Sequence, residues 1–273
     1  MNIPVCLTIA GSDSSGGAGI QADLKAFAYF TTFGTSAVTA ITAQTPAGVS
    51  SIFPVPVEEV LLQYRAVTET MTVNAVKTGM LTNAAIVETV CDEFAELRGI
   101  PIIVDPVMVA GSGDRLVEEK ATELILERLL PLATLITPNV LEAEMILDQP
   151  LPDTIALVEA VQQLTNDFDC SVMLKGGHHS DKDFAIDYLA TGGTTYRLRS
   201  PLVNARSSHG TGCTLSAAIA ANLASGKDMI TAAAAAKAYV HHSLANCSNV
   251  GPEAWAMVQP EVNEESIVEV EIL

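Results

Sequence analysis

The segment Ser208–Thr214 combines the residue types and spacing that phosphoryl transfer needs. It contains the run Gly-Thr-Gly-Cys and leads directly into an Ala-rich stretch that predicts a helix through about Leu223. Glycines beside a helix N-terminus allow several backbone N–H groups to point at one anionic oxygen. Cys213 falls in the first turn, where the helix dipole lowers a thiol pKa, so the pattern predicts a base or polarising group there. The alternative is a glycine-rich capping turn beside an inert core cysteine.

A second glycine-rich segment, Gly11–Gly19, is compatible with three interpretations. A Walker A loop is excluded because no Lys followed by Ser or Thr comes after Gly16. A dinucleotide fingerprint matches Gly17–Ala22, but no acidic residue near Ala43 could bind a ribose hydroxyl, which disfavours a nicotinamide-dependent oxidoreductase. The third interpretation is a substrate-binding turn whose small residues admit a ring that hydrogen-bonds Asp23. Alternatively, Asp23 only stabilises the positive end of the following helix.

Charged and amide side chains follow several apolar runs. Asn139 and Glu142 are three residues apart, a spacing that suits a hydrated Mg²⁺ on phosphates and equally suits a helix capping box. Asp105 ends one apolar run and Lys175 follows another, and opposite charges at strand ends favour a metal–nucleotide site. Each of these charges taken singly could be an ordinary solvated loop residue.

Apolar runs that predict buried strands alternate with stretches of helical periodicity, which favours an α/β fold with a parallel sheet covered on both faces. The predicted strands are Val5–Ala10, Ala37–Ala43, Val73–Lys77, Ile102–Asp105, Thr134–Thr137 and Val172–Leu174, with a hairpin of Ala185–Ala190 and Thr195–Leu198. Besides the helix opened by Gly210, the predicted helices are Ala18–Phe30, Val57–Met71, Asn83–Leu97, Glu118–Leu130, Val140–Leu147, Thr154–Asn166 and Met229–Ala245. Ligands of such sheets bind outside the carboxyl ends of the strands, so one cleft should gather the polar segments.

The composition limits the classes of protein. The chain of 273 residues is 49% hydrophobic and shows no linker, so we expect one domain over 1–273, with an acidic tail of unassigned structure at 258–273. A formal net charge of −18 argues against a nucleic-acid partner. The five cysteines include no CxxC pair and suggest neither a disulfide framework nor a zinc site. The first residues resemble neither a leader nor a membrane span, and a cytoplasmic location is expected.

The order and spacing of the polar segments resemble the hydroxymethylpyrimidine/phosphomethylpyrimidine kinase family of the ribokinase superfamily. The segments that carry the resemblance are Ala10–Lys25, Thr42–Gln44, Lys77–Leu81, Asp105–Met108, Thr137–Asn139, Lys175–His178 and His209–Thr214. The resemblance implies a three-layer α/β/α fold in which helices cover both faces of a central, mostly parallel sheet. It also implies ATP-dependent phosphorylation of 4-amino-5-hydroxymethyl-2-methylpyrimidine, and then of its monophosphate, in thiamine biosynthesis.

The resemblance assigns roles at the substrate end of the site. Asp23 and Gln44 would hydrogen-bond the aminopyrimidine ring, and Cys213 would lie beside the hydroxymethyl group. The ring would be lined by Gly11, Met80 and Val107.

Other residues would bind the phosphates and the metal. The backbone N–H groups from Gly210 through Thr211 and Gly212 to Cys213 would stabilise the transferring group. The resemblance assigns Mg²⁺ and its waters to Asp105, Asn139 and Glu142, and ATP to Lys175, Asn139, Thr211 and Lys237. An ordinary surface lysine is the alternative for Lys237.

Two positions depart from the family pattern. Gly111 stands where relatives often carry Lys, and the ending Gly251–Trp255 lacks a His that is usual nearby. Both departures bear on the second phosphorylation. The competing hypotheses are a pyridoxal or pyridoxine kinase, which the expected contact of Gln44 with an amino group disfavours, and a non-catalytic vitamin-binding protein. A homodimer is a family-level expectation.

Overall fold

The structure is a computed structural model that describes residues 2–97, 99–108, 116–177, 181–252, 254–261 and 264–273. The strands are β1 Val5–Asp13, β2 Phe33–Thr45, β3 Gly48–Pro54, β4 Val73–Thr78, β5 Ile102–Val104, β6 Leu135–Ile136, β7 Ser171–Leu174, β8 Phe184–Thr191, β9 Thr194–Pro201, β10 Ser248–Gly251, β11 Ala254–Ala256 and β12 Glu269–Ile272. The helices are α1 Gly19–Tyr29, α2 Val57–Thr68, α3 Ala84–Ala95, α4 Glu119–Leu124, α5 Val140–Leu147, α6 Thr154–Phe168, α7 Thr211–Ala224 and α8 Met229–Ala245. These bounds confirm most of the predicted alternation.

Ten strands of the described chain form one sheet in the order β12-β9-β8-β7-β6-β5-β4-β1-β2-β3. The central pairs from β2 to β7 are parallel, whereas β3, β8, β9 and β12 pair antiparallel with their neighbours. The chain moves from β1 to β2 on one side and returns to β4 on the other. The carboxyl ends of β1 and β4 therefore flank a topological switch point, where open α/β sheets bind ligands.

The two faces of the sheet bury separate apolar cores, which gives the three layers that were predicted. In β1, Leu7 and Ile9 belong to the core covered by α2, α3, α4, α5 and α6, whereas Cys6 faces the core under α1, α7 and α8. Successive strand residues point to opposite faces, so a strand covered on both sides is apolar at every position. Helix α7 is buried over most of its length, and its alanines allow close packing against α8 and the sheet.

Three predicted boundaries need correction. Strand β3 was not predicted, and it pairs with β2 to form an antiparallel edge. The helix predicted over Glu118–Leu130 ends as α4 at Leu124 and continues as a π-helical turn, Ile125–Leu129, and a 3₁₀ turn, Leu130–Leu132. In the stretch 258–273, left unassigned, a 3₁₀ turn precedes β12.

Strand β12 is an exposed edge strand: its Glu-Val-Glu-Ile sequence alternates, but Val270 and Ile272 are 41% and 68% exposed, so neither face is buried. It pairs with β9, and Glu269 and Glu271 form ion pairs with Arg199 and Arg197 across the two strands. The acidic tail thus pairs with basic residues that lie 70 or more positions earlier in the chain. Among the described residues, no helix combines the length and apolar character that crossing a membrane requires.

Candidate active site

A cavity of about 1070 Å³ opens at the carboxyl ends of the central strands. It lies between the first glycine-rich loop, the β2–β3 hairpin, the ends of β4, β5 and β7, the start of α5 and the loop before α7. The predicted cleft therefore exists in the structure. The predicted site residues that line it are Gly11, Gln44, Met80, Asp105, Val107, Asn139, Glu142, Lys175, Gly210, Thr211, Gly212 and Cys213.

The loop before α7 and the first residues of that helix, 208–213, have a geometry suited to binding an anion at one side of the cavity. We call this segment the anion loop. Gly210 adopts a positive φ of 87°, and a side chain there would meet the carbonyl oxygen of Gly17 at 1.8 Å, so only glycine fits. The N–H of Thr211 is bonded to the Ser208 carbonyl oxygen. Within the described residues, the N–H groups of Gly212 and Cys213 have no such partner and lie at the N-terminus of α7, a favourable position for an anion.

Cys213 lies at the cavity, but its environment corrects the prediction about its thiol. Burial raises the pKa of Cys213 to about 11, the ammonium of Lys77 opposes this shift, and the carboxylates of Asp23 and Asp105 reinforce it. The dipole of α7 was expected to lower this pKa. The prediction is wrong because burial and nearby carboxylates outweigh the dipole, so the neutral thiol is favoured over the thiolate.

Asp105, Lys175 and Glu142 form a charged cluster on the floor of the cavity. Lys175 Nζ lies 2.8 Å from Asp105 Oδ1 and 3.8 Å from Glu142 Oε2. Asp105 also accepts hydrogen bonds from the hydroxyl groups of Thr137 at 3.1 Å and Ser216 at 3.2 Å. The cluster touches the anion loop, since a Cβ at position 212 would lie 3.2 Å from Lys175 Nζ.

The cluster changes the pKa of both carboxylates, in opposite directions. Burial by itself raises the pKa of Asp105, but the ammonium groups of Lys175 and Lys77 lower it below its usual range. Burial raises the pKa of Glu142 to about 7; Lys175 opposes the shift and the Asp105 charge adds to it. Two buried carboxylates therefore share one close ammonium, and a further cation would be stabilised there.

Asn139 and Glu142 form the capping box that their spacing predicts, and their role as magnesium ligands stays a prediction. The Asn139 side chain accepts the Glu142 N–H at 2.8 Å, and the Glu142 carboxylate accepts the Asn139 N–H at 2.8 Å, so they form the capping box of α5. Both residues also line the cavity. The capping box fixes their side chains beside Lys175, because it leaves each little rotational freedom.

The structure does not bring Asp23 to the cavity. Its side chain is 0% exposed, accepts the Thr8 hydroxyl at 2.6 Å, and binds Lys77 Nζ through both carboxylate oxygens at 2.9 Å. The predicted hydrogen bond from Asp23 to a substrate ring does not fit this geometry. Lys77, which sequence reasoning missed, borders the cavity in its place. Its signal in the sequence is a lysine that directly follows apolar residues of a strand, Ala75 and Val76.

Lys237 is also outside the cavity lining. It is buried in α8, with Nζ 2.6 Å from Asp187 Oδ2 on β8. It is neither the predicted ATP-binding residue at the cavity nor an ordinary surface lysine. Asp187 Oδ1 lies 3.4 Å from the Gly177 N–H, so the pair supports the loop that follows Lys175. Nothing in the local sequence of the Ala-rich helix indicates the partner on β8.

Gly11, Met80 and Gln44 line another part of the cavity, where the resemblance places the substrate ring. A Cβ at position 11 would lie 2.6 Å from Met80 Cε, so the glycine leaves room for this methionine. Gln44 lies inside β2, where the register with β3 shifts after Ala43. The Gln44 side-chain oxygen accepts the Thr42 hydroxyl at 3.0 Å, which leaves its amide N–H₂ available as a donor.

Asp13 and His209 connect the two glycine-rich loops, a contact that sequence reasoning missed. Asp13 is 2% exposed and accepts the N–H groups of Ser15 at 2.8 Å, Gly17 at 3.1 Å and Ala18 at 2.8 Å. His209 Nε2 lies 2.9 Å from Asp13 Oδ2. Although burial opposes it, the hydrogen bond from His209 and those within the loop hold the Asp13 pKa well below its usual range. The first loop therefore holds the anion loop in place.

Gly111 and His178 lie outside the described residues. The homodimer and the cytoplasmic location that were expected remain predictions at this stage.

Comparisons with known proteins agree with the geometry. Residues 13–258 match the model of the phosphomethylpyrimidine kinase family. The chain is 41% identical over 253 residues to the hydroxymethylpyrimidine/phosphomethylpyrimidine kinase of Haemophilus influenzae, covering 92% of this chain and 94% of that protein. A solved structure of phosphomethylpyrimidine kinase from Clostridium difficile is similar with a TM-score of 0.77 at 35% identity, covering 87% of this chain and 98% of the other.

A second kind of kinase is also similar in structure. Pyridoxal kinase from Staphylococcus aureus, in complex with AMP-PCP, superposes with a TM-score of 0.90 at 32% identity, covering 100% of both chains. The ribokinase-like fold and the family resemblance stated from the sequence are confirmed. The chain belongs to the phosphomethylpyrimidine kinase family of phosphotransferases.

Proposed function

We propose that the chain transfers the γ-phosphoryl group of ATP to the hydroxymethyl group of 4-amino-5-hydroxymethyl-2-methylpyrimidine and then to the resulting monophosphate. The observation that carries the proposal is one cavity lined by the apolar side chains of Met80 and Val107 and also by the anion loop beside Lys175. A binding protein for the ring alone needs the first part only. The second part is a phosphoryl-transfer site.

The ring would lie against Met80 and Val107. The Gln44 side-chain oxygen, oriented by the hydrogen bond that it accepts from Thr42, accepts a second hydrogen bond from the amino group of the ring. Gly11 supports the proposal because its lack of a side chain allows Met80 to pack over this wall. Orientation by a few fixed polar groups in an apolar pocket is the usual way in which small ligands are recognised.

At the other end, the N–H groups of Gly212 and Cys213 and the ammonium of Lys175 face the transferring group. Phosphoryl transfer depends mainly on positioning and on stabilising the charge of the equatorial oxygens, which these donors supply. The hydroxymethyl oxygen attacks the γ-phosphorus, the bond between the γ-phosphorus and the β,γ-bridging oxygen breaks to release ADP, and the hydroxyl proton passes to an oxygen of the transferred phosphoryl group or to solvent water. A protonated Cys213 orients the attacking oxygen and does not remove its proton as a thiolate.

The residues on the cavity floor fit a hydrated magnesium ion. Asp105 and Glu142 are buried and share one close ammonium, that of Lys175. Asn139, the N-cap residue of α5, is the third polar side chain of this group and forms a capping box with Glu142. Mg²⁺ is usually held through one or two carboxylates while it keeps several waters. It would neutralise charge on the ATP phosphates. Asp105, Asn139 and Glu142 would hold it, partly through water.

The first test is product analysis by mass spectrometry after incubation with Mg-ATP and hydroxymethylpyrimidine, with pyridoxal at equal concentration in parallel. Pyrimidine mono- and diphosphate, strongly reduced in Cys213→Ala, would support the proposal. A matched control is Cys247→Ala, which removes a partly exposed thiol outside this cavity. Binding of the pyrimidine without transfer would instead favour a vitamin-binding protein.

Pyridoxal kinase is the second candidate because the similarity to the Staphylococcus aureus structure covers both chains completely. The two substrates differ where Gln44 lies, since the pyrimidine carries an amino group and pyridoxal a phenolic oxygen and an aldehyde. Gln44→Glu should favour the aminopyrimidine over pyridoxal by introducing an acceptor-only group. A preference for pyridoxal in the unmodified protein, measured as kcat/KM, would move the assignment to this candidate.

We also propose a cytoplasmic homodimer. The edge strand β3 and its neighbour expose a cross-strand apolar pair, Ile41 at 56% and Phe53 at 63% exposed. A second copy would bury this pair. Light scattering after gel filtration should give a dimer mass for the unmodified chain and a monomer mass for Phe53→Ser, whereas a monomer in both cases would refute the dimer.

A further inference from the structure

Arg206 places a guanidinium group at the cavity next to an aromatic ring. It lies in the loop before α7, three residues ahead of His209, and lines the cavity. Its Cζ atom lies 4.5 Å from the centroid of the Trp255 ring. Trp255 belongs to β11 of the small β10–β11 hairpin and also lines the cavity. Stacking on the ring orients the guanidinium while its N–H edge stays free to bind an anion.

The three Lys and Arg side chains that line the cavity in the described part of the chain differ in their partners. Lys77 is bound by Asp23, and Lys175 by Asp105 and Glu142. Arg206 is exposed, and no carboxylate of the described residues forms an ion pair with it. Its positive charge is therefore not offset by the protein and remains available to a ligand.

The two substrates of the proposed function pose different electrostatic problems. The first is a neutral alcohol that loses a proton on transfer. The second is a phosphate monoester whose second pKa is about 6, so at neutral pH it is mostly a dianion and needs no base. It must approach the anionic γ-phosphoryl group of ATP, and this repulsion is a cost that the first substrate does not meet.

The second transfer is chemically balanced without any further reactant. A terminal oxygen of the monophosphate attacks the γ-phosphorus of ATP and forms a new P–O–P linkage. The bond between the γ-phosphorus and the β,γ-bridging oxygen breaks, and its electron pair leaves with ADP. What the second step needs from the protein is a cation at the monoester that the alcohol does not require.

We propose that Arg206, oriented by Trp255, selects the phosphate monoester as the second substrate by binding its phosphate oxygens. The inference rests on the proposed function and deepens it. Arginine suits this role because its planar fork can donate two parallel hydrogen bonds to phosphate oxygens. The loop position supports it, because Arg206 precedes the anion loop by a few residues and shares the cavity with it.

The test compares kcat/KM for the pyrimidine alcohol and for its monophosphate in Arg206→Gln, Arg206→Lys and Trp255→Leu. Arg206→Gln should lower the value for the monophosphate roughly 10- to 100-fold, as expected for a lost charged hydrogen bond, and leave the alcohol within about threefold. Arg206→Lys should fall between Gln and the unmodified protein. Trp255→Leu should raise KM for the monophosphate because the guanidinium is no longer oriented.

Arg128→Gln is the matched control, since it removes an exposed arginine that pairs with Asp92 far from the cavity lining. It should change neither value. An equal loss for both substrates in Arg206→Gln, or no loss for either, overturns the inference while the proposed function stands. An unmodified protein that makes only the monophosphate overturns the inference and the second step of the proposed function, while the first step stands. An unmodified protein that phosphorylates neither pyrimidine overturns both.

Discussion

Two lysine–aspartate pairs stand at the carboxyl ends of strands in the same sheet, but they differ in their access to the cavity. Lys77 and Asp23 are both 0% exposed, with Asp23 contributed by α1. Lys175 is 15% exposed beside Asp105, and Glu142 shares its ammonium. In the first pair, which we call the closed pair, the ammonium and the carboxylate neutralise each other away from solvent. The second pair, which we call the open pair, is partly exposed beside the anion loop. The same two residue types are therefore sealed in one place and accessible from the cavity in the other.

Replacing Lys175 tests the open pair and should have the largest effect. Lys175→Met removes the ammonium beside the anion loop, so kcat for the pyrimidine alcohol should fall roughly 10³-fold, as for other lost groups that stabilise a transferring charge. Steady-state assays of product formation measure the change. Lys120→Met is the control because it removes an exposed lysine on α4. Unchanged kcat in Lys175→Met would contradict a role in transfer.

Replacing Lys77 tests the closed pair. Lys77→Met leaves the carboxylate of Asp23 buried without its partner, so the free energy of unfolding should fall by about 3 kcal/mol. Urea unfolding followed by circular dichroism measures it. Adding Asp23→Leu removes the uncompensated charge and should recover much of the loss. If Lys77→Met unfolds like the unmodified protein, the pair does not stabilise the fold in the way its burial indicates.

The pH dependence of the free energy of unfolding should report the unfavourable burial of the Glu142 carboxylate. Glu142 has its pKa raised to about 7, so between pH 4.5 and 7 the folded state holds a proton that the unfolded state has lost. Stability from this group is present below pH 4.5 and is lost as the pH rises to 7. Glu142→Gln should remove about 3 kcal/mol of this decline in metal-free buffer.

The control for that measurement is Glu144→Gln, which changes a carboxylate on the same helix away from the cavity lining. It should preserve the decline between pH 4.5 and 7. Asp13 and Asp105, whose pKa values are lowered, contribute the opposite slope, but only at more acidic pH. An unchanged slope in Glu142→Gln would contradict the raised pKa.

Asp13, which is buried, and His209, which is partly exposed, form a third pair at the cavity. This pair tests whether the placement of the anion loop by itself affects the rate of transfer. Asp13→Asn and His209→Asn should each lower kcat about tenfold, since the anion loop would lose its link to the first loop. The double variant should cost no more than either single variant, because both remove one interaction. Additive losses would show that the two residues act separately. KM for the pyrimidine should change less than kcat.

The strands of the central sheet and the helices that cover it could be predicted because each has its own apolar pattern in the sequence. The apolar run in β1 and the helical periodicity of α6 identify their elements without reference to partners. The edge strands β3 and β12 were not predicted. Strand β3 has no apolar alternation, and the alternation of Val270 and Ile272 in β12 is short, lies in an acidic stretch and has no buried face. Strand β12 depends on charge pairs with β9, which is distant in the sequence.

The site residues also divide into those that the local sequence predicts and those that depend on distant elements. The positive φ of Gly210 at the start of α7 and the capping box of Asn139 and Glu142 follow local rules that the sequence displays. The raised pKa of Cys213 depends on burial and on carboxylates from other elements, and these reverse the local expectation from the helix dipole. Local patterns therefore predict the backbone geometry of this site better than its electrostatics.

The sequence by itself determined the alternating α/β architecture, the family, and the segments that meet at one cleft, because strand order, helix starts and glycine turns are encoded over short distances. Only the tertiary structure decided which charges face that cleft. Asp23 and Lys237 find buried partners 54 and 50 residues away, at Lys77 and Asp187, whereas Lys175 and Arg206 face the cavity. The reason is physical: a buried charge requires a partner, and which partner is near depends on the packing of distant elements.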